Sequence, residues 1–205
     1  MTPQAALDRG LGEMALVLPA GAADRLLDYI ALLAKWNRTY NLTAIRDPAA
    51  MVTQHLLDSL SVLPHLPLAS DGRLADAGSG AGLPGIPLAI ARPAWRVVLA
   101  ESNQKKAAFL RQAAIELALG NVAVHEGRVE AWRPQPLFDV VISRAFAALE
   151  DFITACRHLV APGGTLAAMK GTEPKDVQHR CAAIALQVPL LDAQRHLVLC
   201  PASSL

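Results

Sequence analysis

Cysteine, net charge and long apolar runs are all scarce in this sequence, and each shortage closes off a class of protein. Three cysteines occur in 205 residues, at Cys156, Cys181 and Cys200. An odd number at wide spacing fits neither a zinc motif nor a disulfide framework, so all three are expected to be reduced, buried small residues of a cytoplasmic chain. No stretch offers about 18 apolar residues free of charge, and the opening "MTPQAALDRG" lacks a basic region followed by an apolar run, so neither membrane spanning nor secretion is expected. The Asn41-Leu42-Thr43 match to a glycosylation acceptor is then a chance one. Formal net charge is +1, so any nucleic-acid contact must come from a local basic face. Repeats and low-complexity tracts are also missing. What remains is a chain with 53% hydrophobic residues, enough for one sizeable core with little left for a second large domain. With no exposed apolar stripe in evidence, a monomer is expected.

The rhythm of the apolar residues divides the chain at about residue 68. Before it, the pattern is helical. Thr2 and Pro3 open a first helix as N-cap and first helical position. A second follows Gly21, with Leu26, Ile30, Leu33 and Asn37 on one face. Asp47 and Pro48 open a third, whose apolar side carries Val52, Leu56, Leu60 and Leu63, while His55, Asp58 and Ser59 share another side. After it, short apolar runs alternate with helices: "RLADA", "WRVVLAE", "NVAVHEG", "FDVVISRA", "TLAAMKG" and "HLVLC" read as strands, with helices between them and a further helix near 174–186. Near-continuous apolar strands alternating with helices predict a parallel sheet covered on both faces. The expected architecture is α/β: a helical N-terminal cap (1–68) on a doubly wound, Rossmann-like domain (69–205).

Four glycines fall within eight residues of "DAGSGAGLPG", at Gly78, Gly80, Gly82 and Gly85. Placed after the first strand, such a loop lies where doubly wound sheets bind ligands, and its backbone amides can approach a ligand closely. A nucleoside triphosphatase loop needs Lys and then Ser or Thr after the last glycine; Ile86-Pro87 stands there instead. Gly80, Gly82 and Gly85 do spell the dinucleotide fingerprint, with Glu101 about 20 residues on. Asp76 argues otherwise, because a dinucleotide fold leaves no role for a carboxylate directly before the glycines. Asp76 with alternating glycines resembles the first motif of the class I methyltransferases, which bind S-adenosylmethionine on a mostly parallel seven-stranded sheet.

Further segments narrow the resemblance. "WNRTYNLTAIRDP", "HLLDSL", "GLPGIPLAI", "GRVEAW", "FDVVISRAFA" and "MKG" occur in order between about residues 25 and 199 and resemble one family, the bacterial 16S ribosomal RNA guanine-N7 methyltransferases known as RsmG or GidB. That resemblance implies methylation of N7 of guanine 527 in 16S ribosomal RNA, within the 30S particle. It implies that Asp76, Gly78, Gly80 and Leu83 hold the methionine and ribose portions of S-adenosylmethionine. Glu101 would take the ribose hydroxyls, Val129 and Glu130 would frame the adenine, and Arg144 would reach cofactor or RNA. Arg38, Arg46, His55 and Lys170 are candidate RNA contacts, with Arg144 and Lys170 as positioning groups at strand ends. Departures are mild: Ser79 stands where threonine is common, and Glu101 where aspartate is frequent.

The chemistry is compatible with what the sequence lacks. Guanine N7 carries a free lone pair, so attack on a sulfonium methyl needs alignment and no general base. Nucleophile-elbow, zinc-protease and paired-cysteine motifs are all missing, and no metal site is expected. Ser102 to Lys105 formally matches S-x-x-K but reads as a helix-capping segment. A small-molecule methyltransferase and a dinucleotide-binding oxidoreductase stay open as alternatives at this point.

Overall fold

In the computed structural model, which describes residues 1–172 and 181–204, the helical cap begins as its capping residues predict. Thr2 Oγ1 accepts the Ala5 amide at the start of α1 (Pro3–Glu13). Helix α2 (Ala22–Tyr40) buries Leu26, Tyr29, Ile30, Leu33 and Asn37. The Asp47 carboxylate accepts the Ala50 amide at 2.9 Å to open α3 (Pro48–Met51). The predicted third helix is not regular, however. It widens into a π-helical segment over Val52–Leu57 before closing with α4 (Asp58–Leu60).

Among the described residues, seven strands form one sheet: β1 (Arg73–Ala77), β2 (Arg96–Glu101), β3 (Val122–Glu126), β4 (Phe138–Ser143), β5 (Val160–Lys170), β6 (Ala182–Ala185) and β7 (His196–Pro201). Their order is β3-β2-β1-β4-β5-β7-β6. The first five run parallel, and β7 is antiparallel to both β5 and β6. Helices α5 (Gly85–Ala91), α6 (Gln104–Glu116) and α7 (Leu149–Cys156) complete the fold. Strand order reverses between β1 and β4, which fixes the crevice above their carboxyl ends as the ligand position.

Alternation along the strands sends side chains to two cores. Leu74, Val140, Ile142 and Leu197 face α5 and the cap in one continuous cluster. Ala75, Ala77, Val141 and Val198 face Phe152 and Cys156 of α7 in the other. The cap is therefore packed into the body of the protein. Leu26, Leu33 and Leu56 are all fully buried there, each stabilising by roughly 1.5–3 kcal/mol, and Trp36 of α2 lies 5.6 Å from the Phe109 ring of α6.

Two expectations are corrected. The helix predicted near 174–186 is a strand at Ala182–Ala185; the residues of that span up to 180 lie outside the described ones. An Ala-rich stretch favours helix locally, but the open edge of β7 offers a ladder, and tertiary pairing overrides a weak propensity. That ladder also corrects the cysteines. Ala182 pairs with Leu199, which makes Cys181 and Cys200 the next opposed residues, and they form a disulfide with Cα atoms 4.4 Å apart. Register across an edge strand made the pair, and sequence spacing does not reveal register. Cys156 is left as a free buried thiol, pushed up to about 12 by burial and then by the charge of Glu130. Thiol titration of the unfolded, unreduced protein is expected to count one thiol; three without prior reduction would contradict the pairing.

Candidate active site at the carboxyl ends of the strands

The glycine loop is fixed from three sides. Gly78 and Ser79 donate to the Ala100 carbonyl at 2.9 and 3.0 Å, laying the loop across the end of β2. Gly78 has φ +73°, and a Cβ there would sit 2.9 Å from Ala145 Cβ, so only glycine suits the position. Gly85 is constrained by space: a Cβ would strike Leu99 and lie 2.8 Å from Asp76 Oδ2. That oxygen accepts the Gly85 amide at 2.9 Å. The other, Oδ1, is buried without a hydrogen-bond partner among the described residues. Burial raises the Asp76 pKa to about 7, against the opposing pull of the Gly85 amide, the Ser79 hydroxyl and then Arg144.

Glu101, at the end of β2, uses both carboxylate oxygens. Oε2 accepts the Gly80 amide at 2.9 Å and Oε1 the Asn103 amide at 2.8 Å. Asn103 in turn caps α6 by accepting the Lys105 and Lys106 amides, so Ser102 to Lys105 is the capping segment that the sequence suggests. Beside this corner lies an open cleft lined by Gly78, Ala100, Gly127, Val129, Glu130 and Phe146. Val129 and Glu130 enter it from a 3₁₀ turn after β3. Leu83 is packed into the core beneath the loop.

A second cavity opens on the cap side, where Gln54, His55, Asp58, Arg144, Lys170 and Arg195 converge. Asp58 is 1% exposed and bridges two cations: Oδ2 accepts from Arg144 Nη1 at 2.9 Å, and Oδ1 from Arg195 Nε at 3.0 Å. One carboxylate between two guanidiniums leaves a net positive charge. Arg144 Nη1 also donates to the Gln54 carbonyl at 3.1 Å, while among the described residues Nη2 has only His55 Nδ1 nearby, at 3.5 Å. Among the described residues Arg144 thus keeps donors free for a ligand, on a side chain 28% exposed. The two cavities meet at the end of β4, since Arg144 lines one while Ala145 and Phe146 line the other. Lys170 Nζ holds that junction by donating to the Phe146 and Ala147 carbonyls, both at 2.8 Å; burial lowers its pKa.

His55 is buried, and its pKa falls to about 4, chiefly through burial and then through the nearby Arg144 charge. It is neutral at pH 7. Thr43 Oγ1 accepts the Ile45 amide, so its hydroxyl proton is free for His55 Nε2 at 2.9 Å, and Nδ1–H then donates to the Gln54 carbonyl at 3.1 Å. A histidine held neutral in the fold and protonated near 6.5 when unfolded stabilises fully above pH 6.5, and that contribution is lost as pH falls towards 4. Chemical denaturation of the His55→Gln variant is expected to show a flatter stability profile across that window than the parent; equal slopes would contradict it.

Of the residues singled out in the sequence, Gly78, Val129 and Glu130 line the first cavity, and His55, Arg144 and Lys170 the second. Arg38 and Arg46 are exposed elsewhere on the cap, with Arg46 donating to Asn41 Oδ1 at 3.0 Å. Sequence reasoning missed Arg195. The available signal was strand direction: a final strand running antiparallel to its neighbour begins at the carboxyl-end face, which puts the residue before "HLVLC" at the site.

A doubly wound seven-stranded sheet with a glycine cradle and strand-end carboxylates at its switch point defines a protein of the class I methyltransferase fold. A solved S-adenosylmethionine-dependent methyltransferase from Aquifex aeolicus has this fold, with a TM-score of 0.55 at 16% identity, covering 82% of this chain and 97% of that one. Residues 22–197 match the family described as rRNA small subunit methyltransferase G, and the chain belongs to that family. Curated relatives named ribosomal RNA small subunit methyltransferase G include one from Burkholderia thailandensis, 53% identical over 96% of this chain and 90% of its own. Another, from Methylobacillus flagellatus, is 53% identical over 97% and 98%.

Proposed function

We propose that the protein transfers a methyl group from S-adenosylmethionine to N7 of guanine 527 of 16S ribosomal RNA, in the cytoplasm and within the 30S particle. The observation that carries this reading is the junction at the end of β4, where an open cleft beside the glycine loop and a donor-rich cationic cavity share the segment Arg144 to Phe146. Family membership supplies the substrate class.

The residues present suit the cofactor. When bound, it supplies a methyl group on a sulfonium, open to direct displacement. Glu101 has lone pairs left on both oxygens to accept the ribose hydroxyls. Val129 and Glu130 frame the adenine against the Gly78 backbone. Asp76 Oδ1, buried and unpartnered among the described residues, is an acceptor suited to the cationic methionine end.

On the substrate side, guanine presents O6 and N7 as adjacent acceptors. N7 must stay free to attack, so Arg144 donates to O6 and orients the base, and Arg195 and Lys170 favour the neighbouring phosphate by charge. No side chain has to remove a proton. Neutral His55, with both nitrogens engaged, supports the wall of the cavity. Positioning of N7 against the methyl supplies the rate.

The test is incubation of labelled cofactor with 30S particles lacking the mark. Label on a single guanine, at N7 of position 527, is expected; label confined to protein or small molecules would overturn the substrate assignment. Calorimetry with S-adenosylhomocysteine and with a nicotinamide dinucleotide tests the cofactor, binding being expected for the first alone.

A further inference from the structure

One buried polar contact joins the helical cap to the glycine loop. Tyr29 lies on the inward side of α2 with no exposure at all. Its hydroxyl donates to the Ala81 carbonyl at 2.7 Å, across 52 positions of sequence. Phenylalanine would fill the same volume, and a hydroxyl taken into a core is unfavourable unless bonded, so the bond itself explains why a tyrosine suits this place. Burial also drives the phenol pKa far above its ordinary value, so the group acts as a donor across all working pH.

Ala81 stands at the centre of the loop. On one side the Gly80 amide is held by Glu101 at 2.9 Å, and on the other the Gly82 amide turns back to the Ser79 carbonyl at 2.7 Å. Asp76 fixes the far end through Gly85. Those ties all come from the α/β body; the Tyr29 tie comes from the cap. Helix α2 is a firm anchor for it, with Leu26 and Leu33 fully buried on the same side and Trp36 packed on Phe109.

We infer that Tyr29 is a positioning residue for the cofactor site: by holding the Ala81 carbonyl, it sets the orientation of the peptides from Gly80 to Gly82 before any ligand arrives. Without the hydroxyl, the Ala81 carbonyl loses its tie to the cap, the loop is held less firmly before binding, and the extra ordering is subtracted from affinity. The cap is thereby part of the cofactor site as well as of the RNA side. This rests on the assignment of the loop to S-adenosylmethionine.

The test is Tyr29→Phe, with Leu33→Val on the same helix as a packing control. Calorimetry with S-adenosylhomocysteine and steady-state methylation of 30S particles are the readouts. Tyr29→Phe is expected to raise the cofactor Kd and KM about five- to tenfold, the loss of one buried hydrogen bond. Its kcat at saturation should stay within about two-fold and its KM for 30S particles should be unchanged. Leu33→Val should lower the melting temperature yet bind cofactor like the parent. Parental cofactor affinity in Tyr29→Phe, or equal weakening in Leu33→Val, overturns the inference. If the parent itself binds no S-adenosylhomocysteine, the cofactor assignment falls and the inference with it. A parent that binds, beside a Tyr29→Phe variant that binds equally, sinks the inference alone.

Discussion

Arg144→Ala is expected to lower methylation of 30S particles by about a hundredfold or more, the usual effect of deleting a donor aimed at the reacting group, while leaving the fold intact. The fold survives because Asp58 keeps its second partner: with Arg144 gone, Oδ1 still accepts from Arg195 Nε at 3.0 Å. No buried charge is orphaned. Asp58→Ala reverses the situation, leaving two guanidiniums without the carboxylate they share. Removing the carboxylate from a buried pair is destabilising by about 3 kcal/mol, towards the low end because Arg144 and Arg195 remain 28% and 23% exposed. Asp58→Ala is therefore expected to lose both stability and activity, and Arg144→Ala activity alone. Denaturant melts beside a labelled-methyl assay distinguish them. An Arg144→Ala protein that methylates normally would remove Arg144 from the substrate site; an Asp58→Ala protein of parental stability would mean that the two cations disperse into solvent.

The contrast also shows which parts of the site were legible in sequence. Asp76, the glycines and Glu101 could be placed at the strand ends because their positions are set locally. A carboxylate at a strand end and a glycine in a left-handed turn are dictated by residues within a few positions, and an apolar strand reveals where its end lies. Arg144 could be placed at the end of β4 for the same reason. The cap-side cavity depends on assembly over long distances: Asp58 meets partners 86 and 137 positions away, and nothing in "HLLDSL" states that both will come. The π-helical segment that carries His55 and leads into Asp58 was likewise hidden, since "VTQHLL" contains no proline or glycine to mark a break in helical spacing. Tyr29 sits one step outside the face formed by Leu26, Ile30 and Leu33. It is buried because that face packs against the glycine loop as well as the core, which widens the buried arc. The β6 edge and the cysteine pair failed together, because both follow from a strand register that local propensity opposes. What the chain writes locally was readable; what two distant elements decide jointly was not.

Glu101→Ala is expected to weaken cofactor binding about fiftyfold, with kcat at saturating cofactor little changed. Two contributions combine. The carboxylate accepts the Gly80 and Asn103 amides at 2.9 and 2.8 Å, so its removal loosens the glycine loop and the residue capping α6 at once, and it also deletes the acceptor proposed for the ribose hydroxyls. Hydrogen bonds to a charged group contribute roughly 1.5–3 kcal/mol each, and much of the loss reappears in affinity because the ligand must then order the loop. Glu101→Gln separates the contributions. Its single carbonyl oxygen can satisfy one amide, but its –NH₂ cannot accept from the other, so one loop contact is lost and one kept. Weakening of about tenfold is expected there, between parent and alanine variant. Unchanged affinity in Glu101→Ala would mean that the nucleoside lies elsewhere and that the strand-end carboxylate serves only to shape the loop. A glutamine variant as weak as the alanine one would place the main contribution in the charge rather than in the number of acceptors.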